Sequence, residues 1–221
     1  MARFVAHIIS IIMHPLFIIG YVLIFLMAAN PYIFGFSGAK AQGLVMISVL
    51  TISVMFPLIA ILMMKALGLI SGLNMPDKKE RIGPLIITGL FYMWLYVNVR
   101  NNDNIPAALS FFILGMTIAV FLALIINSFN KISLHTIGAG GFLMGMIFIT
   151  FRWTYGYLDI SLPFMGIEWR WSDRLVLALV FILVGAVGTS RLYLKAHLQN
   201  EIYGGYLVGI LSQMIAYRIF F

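Results

Sequence analysis

The chain contains no cysteine, which excludes disulfide bonds, thiolate nucleophiles and thiolate-held metals together. It is also poor in charge: Asp, Glu, Lys and Arg occupy 10% of its 221 positions, where a soluble domain carries about 25%. With 62% apolar residues and a mean hydropathy of +1.05, a water-soluble globular domain is excluded. The bilayer is the main solvent for this sequence. No small-residue cleavage site follows the opening MARFVAHIISIIMHPLFIIGYVLIFLMAA, which therefore reads as a first span rather than a removable signal. An internal repeat, a low-complexity tract and a linker long enough to separate domains are missing too. One integral-membrane domain over residues 1–221 is expected. The net charge of +7 would suit nucleic acid only on a soluble basic domain, and none exists. The basic residues stand at helix ends instead, where they suit lipid headgroups or an anionic substrate.

What the sequence does have is long apolar runs. A span needs about 20 mostly apolar residues, and runs near 8–29, 43–70, 84–99, 106–128, 136–155, 173–190 and 201–220 meet that measure. The fold expected is all-α, a transmembrane helix bundle of six or seven spans, the third run being short enough to lie partly in the interface. Pro15 and Pro57 fall inside spans and predict kinks. Small residues at 138–141 and 185–189 suit close helix packing.

With seven spans, alternation brings the N-terminus and the loops at 71–83, 129–135 and 190–200 to one side of the membrane. Those loops read MPDKKERIGP, NKISLHT and SRLYLKAHLQNE. One surface thus receives Lys78, Lys79, Arg81, Ser133, His135, Arg191, His197 and Glu201. Several cations, a hydroxyl and two imidazoles suit a tetrahedral anion, because guanidinium groups grip phosphate oxygens in pairs. Phosphoryl transfer needs charge stabilisation on those oxygens, a nucleophile in line and a proton for the leaving oxygen. Two histidines can divide the last two tasks. His197 and Glu201 are four apart, hence on one face if a helix begins there.

These residues carry a resemblance. SRLYLKAHLQNE is similar to the third signature of the type 2 phosphatidic acid phosphatase superfamily, Ser-Arg-x(5)-His-x(3)-Asp, with Glu201 where the pattern has Asp. Residues 132–135, ISLH, resemble a degenerate second signature, Pro-Ser-Gly-His, with Leu134 in place of Gly. Residues 77–84, DKKERIGP, stand where the first signature, Lys-x(6)-Arg-Pro, would fall. The resemblance covers roughly residues 71–220 and leaves the first two spans outside. It implies a metal-independent, cofactor-free lipid phosphatase in which His197 is the nucleophile that becomes phosphohistidine. It also implies that Glu201 orients His197 and that His135 protonates the leaving alcohol. Arg191, Ser133, Lys79, Arg81 and, as an alternative, Lys78 would bind phosphate. The partner implied is a membrane lipid bearing a phosphate or a polyprenyl diphosphate.

Blander readings stand beside these. Arg191, Lys195 and His197 on charge alone make a basic loop against headgroups, and DKKER alone makes a solvated turn. His14, at membrane depth, is either a functional group or a bundle-facing hydrogen-bonding one, and His7 reads as interfacial. A phosphotransferase of the same chemistry and a non-catalytic lipid-phosphate binder or transporter are the rival functions. With the basic site residues Lys78, Lys79, Arg81 and Arg191 set aside, Arg3, Lys65, Lys131 and Lys195 remain on the site side. Opposite them stand Lys40, Arg100, Arg152, Arg170, Arg174 and Arg218. That balance favours the opposite side as cytoplasmic, and a site on the periplasmic face of a bacterial inner membrane is expected.

Overall fold

A computed structural model describes residues 1–29, 34, 39–154, 156–162 and 167–221. The first span is broken. Helix α1 (Ala2–Ile12) stops at Met13, His14 is extended, and Pro15 opens a 3-10 turn (Pro15–Phe17) that leads into α2 (Ile18–Ala29) at an angle of 41°. Proline explains the break: it has no amide hydrogen and drives the residue before it out of helical conformation.

Pro57 acts differently. Helix α3 (Ala39–Leu50) widens into one π-helical turn (Thr51–Met55) and continues as α4 (Phe56–Ala66), so the second span stays continuous. It ends at Ala66 rather than near residue 70. Gly68, at φ +71°, lets the amides of Gly68 and Leu69 turn back to the carbonyls of Lys65 and Met64.

The third span is not short. A 3-10 turn (Lys79–Arg81) runs into α5 (Ile82–Arg100), giving 22 residues, because the last three residues of the polar DKKER stretch fold into the first turn. Then come α6 (Ala107–Phe129), α7 (Leu134–Trp153), α8 (Asp173–Tyr193) and α9 (Gln199–Phe220). Among the described residues, five helices are long and apolar enough to cross a membrane, six with the bent α1–α2 pair. Helix α9 is as long as these but more polar, and packs chiefly against α7 and α6. Counting it gives seven. The chain is an all-helical polytopic bundle.

Within 152–172, read as a loop, the structure has an antiparallel hairpin, β1 (Tyr157–Leu162) with β2 (Ile167–Ser172). Asp159 lies opposite Arg170 in register, and their side chains pair at 2.7 and 3.2 Å. Trp169 and Trp171 stack at 6.0 Å. The stretch is short and alternating, which favours a ribbon once its ends are held by α7 and α8.

The core joins α2, α6 and α7 through fully buried Ile18, Ile19, Leu23, Phe111, Phe112 and Met146. Helices α7 and α9 approach backbone to backbone. A methyl group at Gly209 would overlap the Ile137 carbonyl and the Gly141 amide, and one at Gly140 would meet the Tyr206 backbone. Glycine at these positions is a packing requirement. That close contact fixes the N-termini of α7 and α9, which carry His135 and Glu201, against one another. The Ser133 amide donates to the Glu201 carbonyl at 3.3 Å.

Candidate active site

Helix α9 begins at Gln199, so His197 stands just outside it and does not share its face with Glu201. The pair forms by another route. Glu201 occupies the third helical position, from which a long carboxylate reaches back over the helix start. Its Oε2 accepts the Leu198 amide at 3.2 Å and His197 Nδ1–H at 2.6 Å. The side chains are 4% and 14% exposed, so this bond is shielded from water. A carboxylate can only accept, so Nδ1 carries the hydrogen and Nε2 keeps its lone pair. Burial pushes the His197 pKa down to about 4, the Glu201 bond and charge act the other way, and Arg191 and Arg81 lower it further. At neutral pH the ring is uncharged, as an attacking imidazole must be.

Arg191 ends α8. There Lys195 adopts φ +53°, and the amides of Lys195 and Ala196 return to the carbonyls of Leu192 and Arg191. This reversal carries the chain from Arg191 to His197 in one turn. Arg191 Nη1 donates to Ser10 Oγ at 3.4 Å, and its Nε is buried with no partner among the described residues. Arg81, buried, spends Nε on the Met75 carbonyl and Nη1 on the Ile132 carbonyl, both at 3.0 Å. Its second bond ties the loop before α5 to the loop before α7, and Nη2 has no partner among the described residues.

His135 is anchored from the far side. Its Nε2 donates to the Ser10 carbonyl at 3.1 Å, which leaves Nδ1 as the free nitrogen. Ser10 is available because α1 breaks: the His14 amide turns to Ile11 instead of Ser10. His14 lies edge-on to His135, ring centroids 5.2 Å apart.

These groups line one cavity of about 480 Å³. Arg81, Arg191, His135, His197, His14 and Ser10 form its polar end, and Val54, Leu58, Ile61, Leu85, Val120 and Met116 continue it as an apolar wall. A second cavity of about 410 Å³, with Lys131, Lys195 and Glu201 in its wall, shares His197 with the first. His197 therefore stands between a mainly apolar chamber and a polar vestibule.

The residues singled out in the sequence divide accordingly. His197, Glu201, His135, Arg191 and Arg81 come together. Lys78 and Lys79 do not: Lys78 Nζ caps the end of α6 at the Ser128 and Phe129 carbonyls (3.2 and 2.9 Å), and exposed Lys79 lines neither cavity. The end of α6 leaves carbonyls without helical partners, and a lysine ammonium satisfies them. Ser133 is buried at the start of α7, outside the lining of either cavity, with Oγ unpaired among the described residues. Returning Lys78 and Lys79 to the structural residues changes the charge balance: Arg3, Lys65, Lys78, Lys79, Lys131 and Lys195 face the same six opposite as before. The lysine and arginine count thus favours neither side.

His7 and Ser10 were not expected at the site, and His14 was weighed only as a functional or a bundle-facing group, yet all three line the cavity. Their spacing of three and four residues, one helix face, was the available signal. Neither a family model, nor a curated protein, nor a solved structure matches this chain.

Proposed function

We propose that the chain is a metal-independent membrane phosphatase that hydrolyses a lipid phosphate or diphosphate through a phosphohistidine on His197. The observation that carries this reading is one amphipathic cavity, lined by guanidinium and imidazole groups together with aliphatic side chains. Such a space suits a phosphate headgroup with its first stretch of hydrocarbon. The likeness of residues 71–220 to the type 2 phosphatidic acid phosphatase superfamily supports the same chemistry.

In this mechanism Arg191 and Arg81 hold the non-bridging oxygens, where charge accumulates in the transition state. His197 Nε2 attacks phosphorus, the P–N bond forms, and the bond from phosphorus to the lipid oxygen breaks. His135, neutral at rest with Nδ1 open, takes at Nδ1 the proton that a monoanionic substrate phosphate brings and gives it to that oxygen, and the lipid alcohol or monophosphate leaves. Water then attacks the phosphohistidine, the P–N pair returns to His197, and His135 Nδ1 takes the water's proton and passes it to the departing phosphate. Glu201 keeps the His197 hydrogen on Nδ1 throughout, so Nε2 stays free for each turn. The vestibule beside His197 offers water a route that avoids the lipid chamber, which favours hydrolysis over transfer to a second lipid.

The test is phosphate release, in EDTA, from phosphatidic acid, phosphatidylglycerol phosphate, a polyprenyl diphosphate and lipid A phosphate. Release from at least one, its loss in His197→Ala and acid-labile phosphate trapped on His197 by rapid quench are expected. Full activity in His197→Ala, or no release from any lipid, would sink the assignment. A new phospholipid formed on adding acceptor lipids would make the protein a transferase. A bacterial inner membrane with the site facing the periplasm is part of the proposal. The cysteine-free chain makes that easy to test: Lys195→Cys should react with an impermeant maleimide added to intact spheroplasts.

A further inference from the structure

We propose that the broken end of the first helix, Ser10 to His14, is part of the phosphate site, with His14 Nε2–H donating directly to a phosphoryl oxygen of the substrate. The proposal rests on the lipid-phosphate reading above and adds a binding residue outside all three signature-like stretches.

Room for such a donor follows from how the cations are used. Lys78 and Lys79 stand elsewhere, and Arg81 has committed Nε and Nη1 to backbone carbonyls. Arg191, through Nε and Nη2, and Arg81, through Nη2, can reach a phosphoryl group's three oxygens once each, and each oxygen keeps lone pairs for a further donor.

His14 suits this role in position and in tautomer. It lines the cavity with Arg191, His135 and His197, and its ring lies 5.2 Å from that of His135. The Leu16 amide donates to His14 Nδ1 at 3.4 Å, so Nδ1 holds the lone pair and Nε2 the hydrogen. No described residue accepts that hydrogen. His135 is set the opposite way, its Nε2–H given to the Ser10 carbonyl and its Nδ1 open. One imidazole therefore presents a fixed donor, and the other a site that takes and returns a proton. Being neutral in this form, His14 adds a hydrogen bond without adding charge beside Arg191, which eases departure of the product anion.

The break that produces this arrangement has a single cause. Pro15 stops α1, so the His14 amide pairs with Ile11 and the Ser10 carbonyl is released to His135. Backbone freed at membrane depth is tolerated where it lines a cavity, and discontinuous spans recur at binding sites for that reason. His7 and Ser10 lie on one face of α1, His14 follows just past its end, and all three line the cavity.

The experiment compares wild type with His14→Phe and His14→Gln in the full chain. It measures kcat and KM on the lipid that wild type hydrolyses, and inorganic phosphate binding by its protection against thermal unfolding. Phenylalanine keeps the ring contact with His135 and removes the donor, whereas the glutamine amide restores a donor at similar reach. A tenfold or larger loss of kcat/KM and of phosphate affinity is expected in His14→Phe, with most of both recovered in His14→Gln. Unchanged unfolding temperatures without phosphate would show that the loss is not structural. Wild-type behaviour of His14→Phe, equal loss in both folded variants, or absence of phosphate binding by wild type would overturn the proposal. Phosphate binding that depends on His14, with no release from any lipid, would keep this inference and reject the hydrolase.

Discussion

Replacing Glu201 with Gln removes one charge and leaves the side-chain length intact, which isolates the part this carboxylate plays. Its Oε2 now accepts two hydrogens, from the Leu198 amide and from His197 Nδ1. A Gln amide oxygen in the place of Oε2 can accept both hydrogens but without the charge, and an amide turned the other way sets its NH2 against two donors. A hydrogen bond to a charged group contributes about 1.5–3 kcal/mol, and with side chains 4% and 14% exposed little of it is screened. A loss of stability of about that size is expected. Catalysis should suffer more, because the amide NH2 can also donate to Nδ1, which leaves the ring hydrogen on Nε2, the wrong tautomer. Where a buried carboxylate sets a catalytic histidine's tautomer in serine proteases, its amide costs about 10⁴ in rate. A fall of about 10²–10⁴ in kcat, or about 3–5 kcal/mol of barrier, is expected here. The assay is phosphate release in steady state and phosphohistidine formation in a single turnover, with denaturant unfolding alongside. Glu201→Gln within threefold of wild-type kcat, with its fold intact, would refute the idea that this bond orients the nucleophile. Glu201→Asp should also lose activity, since from the third helical position the shorter arm cannot span both donors.

Three further outcomes follow from particular residues. With His197 titrating at about 4 in the folded protein, kcat/KM should be independent of this group above that pH and fall tenfold per unit below it, read from a pH profile. The same shift bears on stability: the folded pKa lies below the ordinary 6.5, so the native state binds fewer protons between those values. The contribution is complete above pH 6.5 and lost as pH falls toward 4, at most about 3 kcal/mol and less where vestibule water screens the ring. Lys195→Gly should raise stability by about 1 kcal/mol in denaturant unfolding, because glycine suits the left-handed turn that lysine occupies at φ +53°. Gly209→Ala should destabilise by about 3 kcal/mol through overlap with the Ile137 carbonyl and the Gly141 amide, while Gly185→Ala, with open space around it, should gain up to about 1 kcal/mol.

Much of the architecture was legible because lipid imposes it. Every backbone polar group must be satisfied within the span, so a chain of this hydropathy with long apolar runs is a helix bundle. Pro15 announced the break in the first span for an equally local reason. The third span was underestimated because hydropathy counts DKKER as polar, whereas Lys79–Arg81 form a 3-10 turn that runs into the helix and Arg81 spends hydrogens on nearby carbonyls. The hairpin at 157–172 was missed because a short ribbon needs its ends fixed by the helices it joins.

The sequence by itself determined the solvent, the helices, and the kinds of group that gather at one end of the bundle, since periodicity and span parity are local or additive. Only the tertiary structure decided which of those groups share a cavity. Lys78 and Lys79 are sequence neighbours of Arg81, yet they stand apart from the cavity that Arg81 lines. His14 is more than 100 residues from His135 and packs on its ring. The direction in which a side chain leaves a helix start depends on capping bonds and neighbouring backbones. Those are set by the contact of α7 with α9 and by the broken end of α1, neither of which any single stretch of sequence contains.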